Sequence, residues 1–187
     1  TYEQHLGRIR RRETFGRRVR WLARQPGFRI EVATEPGETS AAMEDFLRLH
    51  RLRWAADGGS YGIPPGAVED FHREVGPLLA GRGWLRLYRL LVGGEVLAAV
   101  YGIEVGRRFY YYQSGWDPAW SARSPGAVLV GRTIEDAYAR GLADYDFLRG
   151  TEPYKLDWAT DRHETCTLRL RAPSLAVGRA CRRPHRP

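Results

Sequence analysis

Residues 84–115 read Trp84-Leu85-Arg86-Leu87-Tyr88-Arg89-Leu90-Leu91-Val92-Gly93-Gly94-Glu95-Val96-Leu97-Ala98-Ala99-Val100-Tyr101-Gly102-Ile103-Glu104-Val105-Gly106-Arg107-Arg108-Phe109-Tyr110-Tyr111-Tyr112-Gln113-Ser114-Gly115. Runs rich in branched and aromatic side chains are cut at Gly93-Gly94 and at Gly106-Arg107. This pattern predicts strands over 84–92, 95–105 and 108–115, with connections short enough for hairpins. An antiparallel meander follows.

On its N-terminal side the periodicity is helical. Ser40 suits the cap of a helix running to about Ala56, with Met43, Phe46, Leu47, His50 and Trp54 on one face. Gly58-Gly59 opens a loop through Pro64-Pro65, and a further helix is expected from Gly66 to Leu79. Phe28 to Val32 alternates like a strand after the break at Pro26-Gly27. Residues 1–25 place Leu6, Ile9, Phe15, Val19 and Leu22 at spacings that fit one amphipathic helix with arginines on its other faces. On the C-terminal side, Ser124-Pro125-Gly126 predicts a helix start with a capping hydroxyl and a proline in the first turn. That helix should turn Ala127, Val130, Ile134 and Ala137 inward and stop near Gly141. A strand at 145–148, a helical turn at 152–158, a last strand from His163 to Arg171 and a short helix after Pro173 complete the reading. The class is α/β (α+β), a mostly antiparallel central sheet flanked by helices.

Composition agrees. The chain has 187 residues, 43% hydrophobic and 28% charged, proportions that exclude disorder, collagen and coiled coil. Its size suits one domain without a metal or disulfide staple. The most apolar run, Trp84 to Val92, is interrupted by Arg86 and Arg89, so no membrane span is expected. Nothing at Thr1 resembles a signal peptide, and the absence of an initiating methionine raises the expectation of a preceding partner segment. Cys166 and Cys181 lack metal-ligand spacing and the five histidines form no helical pair, so no metal site is expected. His163 and Cys166 fall on opposite faces of the expected last strand, which leaves Cys166 as a buried thiol.

The formal charge of +8 lies at the ends. Eight arginines against Glu3 and Glu13 give residues 1–25 a net +6, and Arg179, Arg182, Arg183 and Arg186 add +4 in a tail expected to be disordered. The remainder nets −2, which does not describe a nucleic-acid-binding surface. The basic helix has two readings, a solvated face or a platform for phosphates of an RNA, a nucleotide-sugar or a lipid head group. Lys155 is the single lysine beside 29 arginines, and a lysine retained in such a chain suggests a need for a compact charge or a group able to lose its proton.

A helix that starts beside a sheet offers unpaired amides and a favourable dipole to an anion. Here that start reads Arg123-Ser124-Pro125-Gly126-Ala127, in which Arg123 supplies a cation, Gly126 allows close approach and Pro125 removes one donor. Meander, phosphate-binding helix and following strand together resemble GNAT acyltransferases, whose pyrophosphate loop reads Q/R-x-x-G-x-G/A. Arg123 to Gly126 matches its first half, and Val128 stands where a small residue is the pattern.

A more specific resemblance, over essentially the whole chain to Ala172, is to the second GNAT-like domain of CelD-type acetyltransferases of exopolysaccharide and cellulose operons, relatives of the FemAB peptidyltransferases. It is carried by Arg107 to Gly115, Asp117-Pro118, Ser124-Pro125-Gly126 and, above all, Asp146-Phe147-Leu148-Arg149-Gly150-x-Glu152-Pro153-Tyr154-Lys155-x-x-Trp158. The resemblance implies a basic helix over 1–25, an acyltransferase domain over 26–172, a tail over 173–187 and a further GNAT-like half before Thr1. It implies acetyl-CoA as donor substrate, held by Tyr112, Ser114, Arg123, Ser124, Gly126 and Ala127, and an acceptor faced by Arg149, Glu152, Tyr154 and Trp158. Asp146 and Lys155 become the candidate catalytic pair.

Each also has a plainer reading. A carboxylate at Asp146, between Tyr145 and Phe147, would need a partner such as Arg149 or Lys155, and a buried salt bridge fixing the loop explains it as well as chemistry does. Lys155 is either a surface lysine or a group that binds an acceptor phosphate or steadies an oxyanion. By strand parity Tyr110, Tyr112 and Ser114 share a face against Phe109, Tyr111 and Gln113; one set packs the core and the other lines a donor channel, where strand backbone can bind a pantetheine amide.

The expected activity is transfer of an acyl group to an amine or hydroxyl of a cell-envelope or exopolysaccharide precursor by a bacterial protein of the cytoplasm, or one peripheral at the inner membrane surface. Two alternatives stay open: transfer from an aminoacyl-tRNA, which would use the basic helix, and a non-catalytic scaffold.

Overall fold

The computed structural model describes residues 1–9 and 12–170. Its elements are α1 (Tyr2–Arg8), α2 (Arg12–Leu22), β1 (Arg29–Ala33), α3 (Pro36–Trp54), α4 (Ala67–Gly81), β2 (Leu85–Val92), β3 (Glu95–Val105), β4 (Arg108–Trp116), α5 (Pro125–Ala139), β5 (Asp144–Asp146) and α6 (Pro153–Trp158). One sheet of order β1-β2-β3-β4-β5 is antiparallel except for the last pair, because α5 carries the chain back before β5. The meander thus forms where the glycine punctuation placed it.

Both faces of the sheet are covered. On one, α3 and α4 pack Met43, Phe46, Leu47, Leu49 and Ala80 against Leu85, Leu87, Ala99 and Tyr101. On the other, the N-terminal helices, α5 and α6 cover Tyr88, Leu90, Val100, Phe109 and Tyr111. Two-sided burial is why β2 and β3 read as near-continuous apolar runs.

Residues 1–25 form two helices, α1 and α2, where one was expected, since Ile9 is extended at φ −73° and ψ 135°. They belong to the core layer. Tyr2 donates its hydroxyl to Gly131 O at 2.9 Å, and the rings of Phe15 and Trp158 close over Gly131, where a Cβ would lie 2.4 Å from Phe15.

Other expectations need correction. α3 begins at Pro36, ahead of Ser40, with Glu35 as its cap residue. Ser124 gives no hydroxyl cap: it adopts φ 49° and ψ 56° and donates its Oγ to Ser121 O, because it also closes the 3-10 turn over Pro118–Arg123. Ala127 faces outward, while Val128 is buried in its place. Residues 163–170 form no strand and are exposed, Cys166 among them, since no sheet edge receives them. Cys181 and the helix expected after Pro173 lie outside the described residues. Among the described residues no helix is long and apolar enough to cross a membrane.

Candidate active site

β5 pairs with β4 only at Arg108–Tyr110. Beyond Asp146 the chain turns away: the Asp146 carboxylate accepts the Leu148 amide at 2.7 Å, and Leu148 takes φ 57°, a turn rather than a strand conformation. From Tyr111 onward the outer edge of β4 therefore has no strand beside it among the described residues. Asp117 N bonds Leu97 O at 2.9 Å on the β3 side, so alternation turns the peptide groups of Ser114 and Trp116 to the open edge. Side chains meet them there. Ser114 O accepts from His50 Nδ1 at 3.2 Å, and Ser114 N donates to Gln113 Oε1 at 3.2 Å.

Strand parity fails in this half. The β3–β4 register slips between Tyr101↔Gln113 and Gly102↔Tyr111, which makes Tyr112 the extra residue of a bulge. Ser114 consequently joins Tyr111, whose hydroxyl donates to Ser114 Oγ at 2.5 Å, while Tyr112 packs on Tyr101 and His72 across the sheet. Tyr111 is surrounded by Phe147 and Tyr154, with ring centroids 5.4 and 6.3 Å away, and the Tyr154 and Tyr111 hydroxyls lie 3.5 Å apart. Burial raises the pKa of both phenols above the ordinary tyrosine value, so they stay protonated donors at neutral pH.

α5 starts beside this opening. Its first internal bond runs from Val128 N to Ser124 O, which leaves the Gly126 and Ala127 amides free and Pro125 without one. Gly126 is required by Trp116, whose Cδ1 would lie 2.9 Å from a Cβ. Because Val128 points into the core, the bulk that departs from the expected loop pattern does not reach the amides. Arg123 is exposed and stacks on Trp21 of α2, 3.9 Å from the ring centroid. Free amides and an unpaired guanidinium are the donor set a diphosphate needs, and in that respect these residues fit the phosphate end of acetyl-CoA. The open edge at Ser114 and Trp116 fits its amide-bearing arm.

The Asp146-to-Trp158 motif is placed differently from expectation. Asp146 pairs with the Leu148 amide rather than with Arg149 or Lys155. Lys155 is buried, donating to Arg149 O at 2.5 Å and pairing with Glu152 at 3.0 Å, so it closes the loop on itself. The Arg149 side chain is exposed. Trp158 sits in the core against Phe15 and His5, away from the open edge; of this motif, Tyr154 alone is bonded to an edge residue of β4. Sequence reasoning assigned no site role to Trp21 or His50, and placed Tyr111 only in one of two strand faces, either of which could line the donor channel. Trp21 and His50 lie far from the motifs in sequence, and for Tyr111 the signal was its place among three tyrosines, with the bulge deciding its direction. Two surface hollows, of about 200 Å³ between α1 and α6 and about 350 Å³ between α3 and α4, share no lining residue with the opening.

The family described as acetyltransferase (GNAT) domain covers residues 10–156. The chain belongs to the GNAT acetyltransferase domain family. Its enzymatic class is therefore acyltransferase, and the donor of GNAT acetyltransferases is acetyl-CoA. No curated protein sequence matches the chain. Among solved structures, FemX superposes with a TM-score of 0.61 at 12% identity, over 79% of this chain and 50% of that one. A predicted acetyltransferase from Clostridium acetobutylicum, solved with acetyl-CoA, gives 0.55 at 14% identity over 76% and 96%. The aminoglycoside 6′-N-acetyltransferase AAC(6′)-Ih from Acinetobacter baumannii gives 0.53 at 11% over 79% and 100%. At these identities the likeness speaks for the GNAT fold.

Proposed function

We propose that this GNAT domain transfers an acetyl group from acetyl-CoA to an amine or hydroxyl of a cell-envelope or exopolysaccharide precursor, as the CelD-like motif suggests. The observation that carries the reading is the open edge of β4 from Tyr111 to Trp116 lying next to the free amides of Gly126 and Ala127. When bound, acetyl-CoA supplies an activated thioester. Arg123 and the two amides hold its phosphates, and the peptide groups of Ser114 and Trp116 orient its arm, with Ser114 N exchanging the Gln113 side chain for a ligand carbonyl. Tyr154, a neutral and partly exposed phenol whose hydroxyl lies a long 3.5 Å from that of Tyr111, turns its hydrogen to the negative charge that develops, while Tyr111 stays bonded to Ser114. Arg149, exposed at the rim, is the cation for an acidic acceptor. A second GNAT-like half in the complete protein is part of this reading, as the CelD-like resemblance implies.

Calorimetry with acetyl-CoA tests this. The native protein should bind it, and Arg123→Ala should weaken binding by roughly tenfold, the loss of one charge-assisted phosphate contact of about 1.5 kcal/mol. Binding of tRNA, with no heat from acetyl-CoA, would replace this reading by an aminoacyl-tRNA-dependent one.

A further inference from the structure

Acyl transfer needs somewhere for the acceptor's proton to go, and the carboxylates around the opening are already engaged. Asp117 accepts from Ala119 N at 2.9 Å, Asp146 from Leu148 N at 2.7 Å, and Glu152 holds Lys155 at 3.0 Å. The Ser114 hydroxyl is tied to Tyr111. On the opposite side of the edge stands His50 of α3, whose ring is wholly buried. Its Nδ1 faces the Ser114 carbonyl, which can only accept, so Nδ1 carries the hydrogen and Nε2 keeps an unshared pair. Among the described residues that Nε2 has no partner.

Buried polar atoms without partners are uncommon, and of the six among the described residues two lie on the neighbouring rings of His50 and Trp54. Trp54 Nε1 and His72 Nδ1 are also buried and unpartnered. The Trp54 ring lies 6.2 Å from His50, and His72 joins the same aromatic cluster through Tyr101, Phe46 and Tyr112. The His50 backbone is held against β4, since a Cβ at Gly115 would lie 2.3 Å from His50 N, and the Ser114 carbonyl orients the ring. Groups from every packed element act on it: Ser114 from β4, Glu69 and His72 from α4, Arg51 and Arg53 from α3. Burial dominates and pushes its pKa below the ordinary histidine value, while the Ser114 hydrogen bond and the Glu69 carboxylate pull it up and the two arginines push it further down.

We propose that His50 is the base of the transfer, its Nε2 receiving the proton that the acceptor gives up, with the Trp54 ring beside it. The inference rests on the acyl-transfer reading above. In the step, the acceptor's nitrogen or oxygen forms a bond to the acyl carbon, the carbon–sulfur bond breaks with its electron pair leaving on sulfur, and the acceptor's proton moves to Nε2. The imidazolium then returns that proton to solvent. Nε2 has no exposed surface, so the proton crosses a bridging water or arrives after Trp54 turns, and the test does not depend on which.

The test is His50→Asn, whose side-chain amide keeps a donor for Ser114 O but has no unshared pair at the Nε2 position. Thiol release from acetyl-CoA, with glucosamine or water as acceptor, should fall by about 100-fold or more in kcat, with acetyl-CoA affinity unchanged. In the native protein kcat/KM should rise with pH through a value below the ordinary histidine pKa and be flat at neutrality, and the variant should lose that limb. NMR titration of the His50 ring in the native protein provides a readout that needs no variant: a neutral ring with hydrogen on Nδ1 at pH 7 supports the proposal, and a protonated ring overturns it. A folded His50→Asn protein with native kcat and the same acid limb also overturns it, leaving acyl transfer intact. Failure of the native protein to bind acetyl-CoA or release thiol would remove the underlying reading, and the base with it.

Discussion

Over Arg108–Tyr110 β4 is paired on both edges, whereas from Tyr111 to Trp116 it is paired, among the described residues, with β3 alone. In the closed half, the Phe109 ring fills the space over Gly102 and stacks on Tyr145 at 4.8 Å, and Arg108 pairs with Asp144 at 2.8 Å. In the open half, the same strand bulges at Tyr112, gathers hydroxyls at Tyr111 and Ser114, and takes an imidazole from α3 on its free carbonyl. A strand edge without a partner must satisfy its peptide groups by other means, and side chains that do so reversibly can give way to a ligand.

Two glycines allow this contrast to be broken. At Gly115 an added Cβ would lie 2.3 Å from His50 N and 2.5 Å from Leu49 C, both backbone atoms, so α3 itself must lift. We expect Gly115→Ala to lose about 3 kcal/mol or more in urea unfolding, at the upper end of overpacking costs. Transfer should be lost even in the folded fraction, because His50 leaves Ser114. At Gly102 the obstacle is the Phe109 ring, 2.0 Å away, which can shift. Gly102→Ala should cost about 1–3 kcal/mol with transfer preserved in whatever folds. Equal losses of transfer in the two folded variants would mean that the open half has no privileged role.

The closed half was legible because glycine punctuation and side-chain period act locally, and the meander followed within a residue or so at each boundary. The open half was not. Parity failed at Ser114 because one bulged residue, Tyr112, reverses every later side chain, and nothing in Tyr110-Tyr111-Tyr112 marks which tyrosine is extra. The start of α5 was legible as a helix terminus with proline in its first turn, yet its cap was misread, since Ser124 ends a 3-10 turn that sequence period does not reveal. His50 appeared on the apolar face of a helix, indistinguishable there from a packed residue. Its pairing with Ser114 spans 64 positions and exists only after α3 crosses β4 at Gly115.

A smaller effect sharpens the role of the loop that leaves β5. Lys155 is buried with Glu152 half-exposed, and Gly150, at φ 112°, lies so close under Glu152 that a Cβ would meet its Oε2 at 2.1 Å. Lys155→Met retains the length and removes the charge. Thermal or urea unfolding should show a loss of about 1–2 kcal/mol, chiefly the bond to Arg149 O, because Glu152 can turn to water and its ion pair counts for little. Acetyl-CoA affinity should hold, since Lys155 and Glu152 bond to each other and to Arg149 O rather than to Arg123 or the start of α5. An unchanged melting temperature with abolished transfer would make the ammonium a chemical group and place the decisive cation on the β5 side of the opening.

The smallest effect belongs to Asp146, where the two sides of the opening compete for the role of base. Asparagine at this position still offers Oδ1 to the Leu148 amide, now 2.7 Å from the carboxylate, so Asp146→Asn should destabilise by about 0.5–1 kcal/mol, the difference between a charge-assisted and a neutral hydrogen bond. Asp146→Ala removes the acceptor and should cost more, with the turn at Leu148 loosened. If His50 takes the proton, transfer in Asp146→Asn stays within roughly twofold of native at neutral pH, since general-base losses are about 100-fold or larger. A loss of that size at unchanged melting temperature would move the base from α3 to the end of β5, and the unpaired His50 Nε2 would then require a different explanation.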